Sequence, residues 1–483
     1  NPTQEAKIHA EKPPTPDIQS MMRDNKGSEK NAAGDAFYTS VANIESRTHR
    51  LTLPSDFKMA LRPKKTRGET VKAHLALHFG DAESLKNLSF EADATGQMLM
   101  LGTKNHSRQE IQDTIDRLQA MVNVSGSSTG ASAYIETKRE NLEEILRLVA
   151  EILMEPSFPE KEFEPMRQQW LASLEQDSSD PEALAIVGIR KHLNPYPESS
   201  VLYVPSIEEE IAAVQALELQ DIRDFYSKFY GGSKIEISLV GDFDEDRMIT
   251  IVKELFGSWE SPQEFQRIPR RYFDVDPVNR SIETPDKQNA MFLAGLNLPL
   301  TDNDPDYPAL VLANYMLGGG FLNSRLATRI RQQEGLSYGV GSQFSASPLD
   351  NTGTWLMYAY TAPQNIEKLE VVFKEEMVRA LENGFSAEEI EAAKSGYLQS
   401  RQNSRAEDDA LVSKLTDYLF LGRTLQWDGE LEESIRALKP DQILQAMRRH
   451  IDVDRLTIIK AGDFKNTVAS DQSSVCHAKR FLF

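Results

Sequence analysis

Apolar residues recur along this chain in two spacings, every second position and every third or fourth, and the two alternate in blocks. The stretch "THRLTLPSDFKMALRPKK" carries two alternating runs around Pro-Ser-Asp, the pattern of a β-hairpin, and "VKAHLALHFG" follows as another strand. "SRQEIQDTIDRLQAM" opens on Ser107 with Glu110 three residues on, a capping box that starts a helix. "KRENLEEILRLVAEIL" sets Leu142, Ile145, Leu146, Val149 and Ile152 on one helical face. Between these helices "VNVSGSSTGASAYIET" reads as two strands and a turn. "SKIEISLVGDFDEDRMITIVKELFGSW" reads as a strand, a Gly-Asp turn and a helix.

The second half repeats the plan. "QNAMFLAGLNLPL" is a strand, "PDYPALVLANYMLGG" a helix, and "LSYGVGSQFSA" with "GTWLMYAYTA" a strand pair. "NIEKLEVVFKEEMVRALENG" is a helix stopped by Gly384, and "DRLTIIKAGDF" echoes "IEISLVGDF", with Gly-Asp-Phe at 241–243 and 462–464. Before each echo stand an acidic helix start ("SIEEEIAAVQAL", "DGELEESIRAL") and a short helix ("LQDIRDFYSKFY", "PDQILQAMRRH"). This internal duplication predicts an α+β protein of two similar domains, each a mostly antiparallel sheet flanked by helices. The expected boundaries are a lead-in arm at 1–46, domains at 47–265 and 283–466, a linker at 266–282 and a polar tail at 467–483.

Composition narrows the partners. Of 483 residues, 54 are Lys or Arg and 74 Asp or Glu, a net charge of -20, which repels nucleic acid and anionic membranes. The charge reads as a solvated acidic surface, or as a field that selects basic peptides. One cysteine, Cys476, excludes an intrachain disulfide, and no apolar run approaches a membrane span.

"LGGGFLNSRLATRIRQQEGLSYGVGS" holds the densest chemistry. Gly318, Gly319 and Gly320 allow a tight turn, Arg325, Arg329 and Arg331 follow on a short helix, Gly335 ends it, and Tyr338 opens a strand. The plain reading is a helix–strand connection with solvent-facing arginines. The segment also resembles the C-terminal signature of the pitrilysin/insulinase family of zinc peptidases, which includes the mitochondrial-processing-peptidase group. The resemblance runs from about Thr48 to Phe464, and "HLNPYP" from His192 matches a further family stretch. It implies that Arg331 and Tyr338 bind the substrate backbone near the scissile carbonyl, where a cation and a phenol stabilise developing charge.

The same family carries H-x-x-E-H on a helix, followed by an apolar triplet and Gly-Thr, with a third zinc ligand roughly 75–80 residues on. Here "EADATGQMLMLGT" supplies the continuation, and Gly102-Thr103 sets the register. Asp93 then stands at the first His, Gly96 at the Glu and Gln97 at the second His; Glu175 falls at the third ligand. The resemblance therefore implies a degenerate site, with no metal in this chain and zinc in a missing or partner catalytic half. No other cluster replaces it. His74 and His78 read as strand residues, Ser128 in "GSSTG" lies between strands rather than on a nucleophile elbow, and Cys476 beside His477 is no thiolate–base pair.

Three functions follow from the resemblance. The chain is the C-terminal, zinc-free half of a metalloendopeptidase that closes over an N-terminal catalytic half and takes peptides or unfolded polypeptides. Alternatively it is a non-catalytic subunit paired with a separately encoded zinc subunit, or a structural, peptide-binding scaffold of the same fold. Relatives of this type suggest a periplasmic location.

Overall fold

The computed structural model describes residues 39–465, except 54–55 and 321–322. Most of the expected arm, Cys476 with His477, and two residues of the Pro-Ser-Asp turn lie outside that range. In the first half the order is α1 (Val41–Glu45), β1 (His49–Leu53), β2 (Phe57–Pro63), β3 (Thr70–His78), α2 (Ser89–Met98) and α3 (Arg108–Arg117). There follow β4 (Met121–Ser127), β5 (Gly130–Lys138), α4 (Leu142–Met154), α5 (Glu160–Asp177) and α6 (Pro181–Leu193). The half closes with α7 (Ile207–Ala216), α8 (Leu219–Phe229), β6 (Ile235–Gly241) and α9 (Glu245–Phe256).

The second half runs β7 (Asn279–Glu283), β8 (Ala290–Leu298), α10 (Tyr307–Asn314), β9 (Ser337–Ala346), β10 (Gly353–Thr361) and α11 (Ile366–Asn383). It ends with α12 (Ala387–Ala406), α13 (Asp408–Leu421), α14 (Gln426–Ala437), α15 (Pro440–His450) and β11 (Thr457–Gly462). No described helix is long and apolar enough to cross a membrane.

Two sheets result. The first is ordered β1-β2-β6-β3-β5-β4 and the second β7-β11-β8-β10-β9. Only β2/β6 and β7/β11 are parallel pairs; all other neighbours run antiparallel. Strand for strand the orders match, with β1 added to the first sheet, so the duplication read from the Gly-Asp-Phe echoes extends to topology. One face of each sheet is buried in the usual way. The first packs Leu61, Val71, Leu75, Ile135 and Ile237 against Ile145, Val149 and Ile152 of α4. The second packs Phe292, Trp355 and Met357 against Leu369, Phe373 and Met377 of α11.

The opposite faces are covered by exchange. Helix α6 belongs to the first half, yet its Ala185, Ile189 and Leu193 pack on Met291, Leu293, Ile459 and Ala461 of the second sheet. Helix α13 belongs to the second half, yet its Leu411, Val412, Leu415 and Leu419 pack over Ala60 and Val240 of the first sheet. These helices hold equivalent places in the two halves, each following a long helix (α5, α12). Gly295 on β8 lets α6 lie close, since a Cβ there would sit 3.2 Å from the Ile189 side chain.

The two seats differ in chemistry. Under α6 the sheet is apolar. Under α13 it carries Glu236 and Ser238, both fully buried, with His74 and His78 on the neighbouring strand. His78 Nε2 lies 3.1 Å from Glu236 Oε2 and stacks on Phe420 of α13. Burial lowers the His74 pKa. The sequence places both histidines on the strand, but the acidic neighbour of His78 comes from β6, 158 positions downstream (236 − 78).

Because each half is clamped by the other's helix, the two should unfold together. Ile189→Ala and Leu415→Ala are each expected to lower stability by about 2–4 kcal/mol. In urea both should shift one common transition; two separated transitions would contradict the shared core.

Candidate functional site

Helix α2 carries Asp93, Gly96 and Gln97, which the sequence resemblance aligns with the zinc ligands and general base. It lies against the edge strand β4, with Ala92, Ala94, Thr95, Gly96 and Met98 buried. Gly96 sets the distance between helix and strand. A Cβ on Gly96 would lie 2.5 Å from the Gly126 Cα of β4, and one on Gly126 would lie 2.6 Å from the Gly96 Cα. The backbones therefore meet at the position that the sequence resemblance aligns with a general base. Beneath Gly126 lies the Tyr230 hydroxyl, fully enclosed and without a hydrogen-bond partner. Burial, with Tyr226 and Asp93 nearby, holds that phenol well above its usual range.

Asp93 lines a cavity of ≈ 1250 Å³ between the two sheets, together with His78, Glu210, Arg267, Gln343 and Leu356. Burial first, and then the Glu210 carboxylate, push its carboxyl up to about 6. Burial raises Glu210 as well, against the Trp170 Nε1 that donates to it at 3.2 Å. Gln97 is exposed on α2, and Glu175 is exposed near the end of α5.

These residues do not fit zinc. Gln97 is neutral, Gly96 has no side chain and no room for one, and among the described residues neither Asp93 nor Glu175 belongs to a close group of three ligand atoms. Among the described residues the one grouping of three metal-type ligands is Asp304, Asp306 and His450. There the Arg449 guanidinium already grips both Asp306 oxygens, at 2.7 and 2.5 Å. Local sequence gave no sign of Glu210 or Tyr230, which reach α2 from 117 and 137 positions beyond Asp93 (210 − 93; 230 − 93).

The second half repeats this contact. Helix α10 runs into a π-helical turn, Tyr315–Gly319, and a Cβ on Gly318 would lie 2.6 Å from the Ser342 amide of β9. None of Gly318, Gly319 and Gly320 has a positive φ, so these glycines serve close approach rather than the backbone freedom expected from sequence. The following segment is also π-helical, Ala327–Gln333, and Gly335 ends it at φ 63°.

The solvent-facing reading of the three arginines is corrected for two of them. Arg325 is bidentate to Glu389, at 2.8 and 2.9 Å, and lies over Phe385. Arg329 pairs with Glu334 and Glu375. Arg331 is exposed and has no ion pair among the described residues. Tyr338 is 61% exposed at the start of β9. The segment thus spends two arginines on anchoring and leaves one cation and one phenol open.

Two substitutions check this description. Gly96→Ala should destabilise the chain by about 1–3 kcal/mol in urea, because backbone on both sides blocks the methyl group. Asp93 binds its proton more tightly folded, at about 6, than at its ordinary 3.8. The stabilisation from that proton is complete below pH 3.8 and is lost as pH rises through 6. Asp93→Asn should therefore raise the melting temperature by about 1–3 °C at neutral pH and leave it unchanged in acid. A reversed pH dependence would contradict the buried-carboxyl assignment.

The chain resembles known proteins in sequence and fold. Residues 60–192 match the model for the insulinase family, peptidase family M16, and residues 216–397 match that for the peptidase M16 inactive domain. The chain is 24% identical over 387 residues to a Helicobacter pylori protein named "Non-peptidase homolog YmxG", covering 80% of this chain and 87% of that one. It is 23% identical over 338 residues to an "Uncharacterized zinc protease YmxG" of Bacillus subtilis, covering 70% and 80%. Among solved structures, a peptidase M16 inactive domain from Pseudomonas fluorescens superposes with TM-score 0.76 at 22% identity, covering 86% of this chain and 97% of that one. With helix α2 inside the first match and the segment from Gly318 to Tyr338 inside the second, the chain belongs to the insulinase, or M16, peptidase family.

Proposed function

We propose that this chain is the zinc-free half of an M16 metalloendopeptidase, closing over a zinc-bearing half and presenting Arg331 and Tyr338 to the backbone of an enclosed polypeptide. The observation that carries the proposal is the Gly96–Gly126 contact, which fills the place of a general base with backbone. An unpaired arginine and an exposed tyrosine, on a segment whose other arginines are tied down, supply the complementary half of the chemistry. A cation and a phenol held in place lower the barrier to carbonyl attack without taking part in metal binding. Zinc and the general base belong to the partner half, and we place the assembly in the periplasm.

The relatives favour a partner on a separate polypeptide. This pair of domains spans 87% of the H. pylori homologue and 80% of the B. subtilis one, so those chains are close to two-domain size. The chain is also 21% identical over 329 residues to a protein named "Mitochondrial-processing peptidase subunit beta" of Caenorhabditis elegans, whose name makes it one subunit of a larger enzyme.

The test uses the chain assembled with its zinc half. Arg331→Ala and Tyr338→Phe should each lower kcat for a peptide substrate by about tenfold to a hundredfold, with assembly and melting temperature unchanged. Full proteolysis by the doubly substituted assembly would instead support a scaffold role.

A further inference from the structure

Among the described residues, no helix packs along half of one face of the second sheet. Helix α6 packs on β8 and β11 and reaches β10 only at Leu356 and Tyr360, and the face continues from there to the edge strand β9. On β10 the residues of that face are Thr354, Leu356, Tyr358 and Tyr360; opposite them on β9 stand Ser345, Gln343, Gly341 and Gly339. The two glycines make room for the rings. A Cβ at Gly341 would lie 2.7 Å from the Tyr358 hydroxyl, and one at Gly339 3.2 Å from the Tyr360 ring. Both tyrosines therefore lie down across the edge strand.

Tyr338 extends this floor. It stacks on Tyr360 with centroids 5.6 Å apart and planes at 22°, while Tyr358 meets Tyr360 edge-on at 6.0 Å and 72°. Tyr338 and Tyr358 keep their outer faces open, at 61% and 39% exposure. At the margin, the Tyr360 hydroxyl donates to Glu182 Oε1 of α6 at 2.7 Å. Burial and this carboxylate keep the Tyr360 phenol protonated well above its usual range, so it stays a donor. Glu182 is exposed, and its second oxygen has no partner among the described residues.

Elsewhere the chain covers such rings with its own cations, as Arg401 does Tyr397 and Lys191 does Tyr203. Among the described residues no cation lies over Tyr338, Tyr358 or Tyr360.

We propose that Tyr338, Tyr358, Tyr360 and Glu182 form a site for a basic side chain, arginine or lysine, of the polypeptide held against this face. The proposal rests on the reading of the chain as a half of a polypeptide-binding peptidase and names the side-chain class that this half selects. An arginine would lie over an electron-rich ring and reach the free Glu182 oxygen. A phenylalanine gains only the ring contact, and an acidic residue is repelled by Glu182 and by a chain of net charge -20.

Three fluorescent peptides identical except for one residue, Arg, citrulline or Phe, are titrated against the full chain without a zinc half. Citrulline keeps the size and planarity of arginine without its charge. The Arg peptide should bind about fivefold to tenfold more tightly than the citrulline peptide at low ionic strength, with the ratio shrinking as salt is added. Glu182→Gln and Tyr358→Leu should each bring the ratio toward one, weakening the Arg peptide more than the citrulline peptide. Four results overturn the proposal: a ratio near one on the unaltered chain, tighter binding of Phe than Arg, a ratio that survives both substitutions, or no measurable binding of any peptide. Because the readout is binding and involves neither zinc nor cleavage, it can fail while proteolysis still depends on Arg331 and Tyr338, and the reverse also holds.

Discussion

The exchange of α6 and α13 between the two halves is the constraint on which the rest of the molecule depends. Each sheet buries one face with its own helices and the other with a helix from the opposite half. An antiparallel sheet with both faces partly apolar needs two covers, and a duplicated chain supplies the second by crossing over. The crossing holds the sheets at a fixed separation, and the space between them is the cavity that Asp93 lines. It also decides which part of the second sheet stays open, since α6 lies over β8 and β11 and reaches β10 only at Leu356 and Tyr360.

The two seats carry different energetics. Under α6, Ile189 and Leu193 gain ordinary apolar burial. Under α13, a fully buried Glu236 has the His78 ring nitrogen and the Lys234 ammonium as its nearest partners, at 3.1 and 3.7 Å, without hydrogen-bond geometry to either oxygen. That seat is compensated at its rim, where Lys64 pairs with Asp408 at 2.5 Å, and Lys72 and Tyr134 both reach Asp409. Acidic residues at the start of α13 suit the helix dipole, so the rim contacts and the dipole act together. The α6 side is thus the tightly packed joint and the α13 side the polar one.

Much of this was legible in the sequence. The strand and helix order followed from spacing, the capping box at Ser107 and Glu110 is present, and the Gly-Asp-Phe echoes marked equivalent strands in two sheets of the same order. The exchange was not legible, because Ile189 and Leu415 look like any apolar helix residue and nothing local names the sheet they meet. At the site, Gly96 and Gln97 could be read as lost base and ligand, but only the structure brings Gly126 against Gly96 and sets Glu210 beside Asp93. For Gly318 the reverse holds: its run of glycines was visible, and its reason, the Ser342 amide, was not. Likewise Arg325, Arg329 and Arg331 are indistinguishable in sequence, and their carboxylate neighbours alone separate anchors from the open cation.

The most direct test of a zinc-free half is to measure zinc and peptide cleavage on the purified chain, alone and then with a zinc-bearing half. The expected result is no stoichiometric zinc and no cleavage alone, with cleavage appearing on assembly and disappearing with a chelator. Zinc held at one ion per chain and lost in Asp93→Ala, together with cleavage by the chain alone, would contradict it.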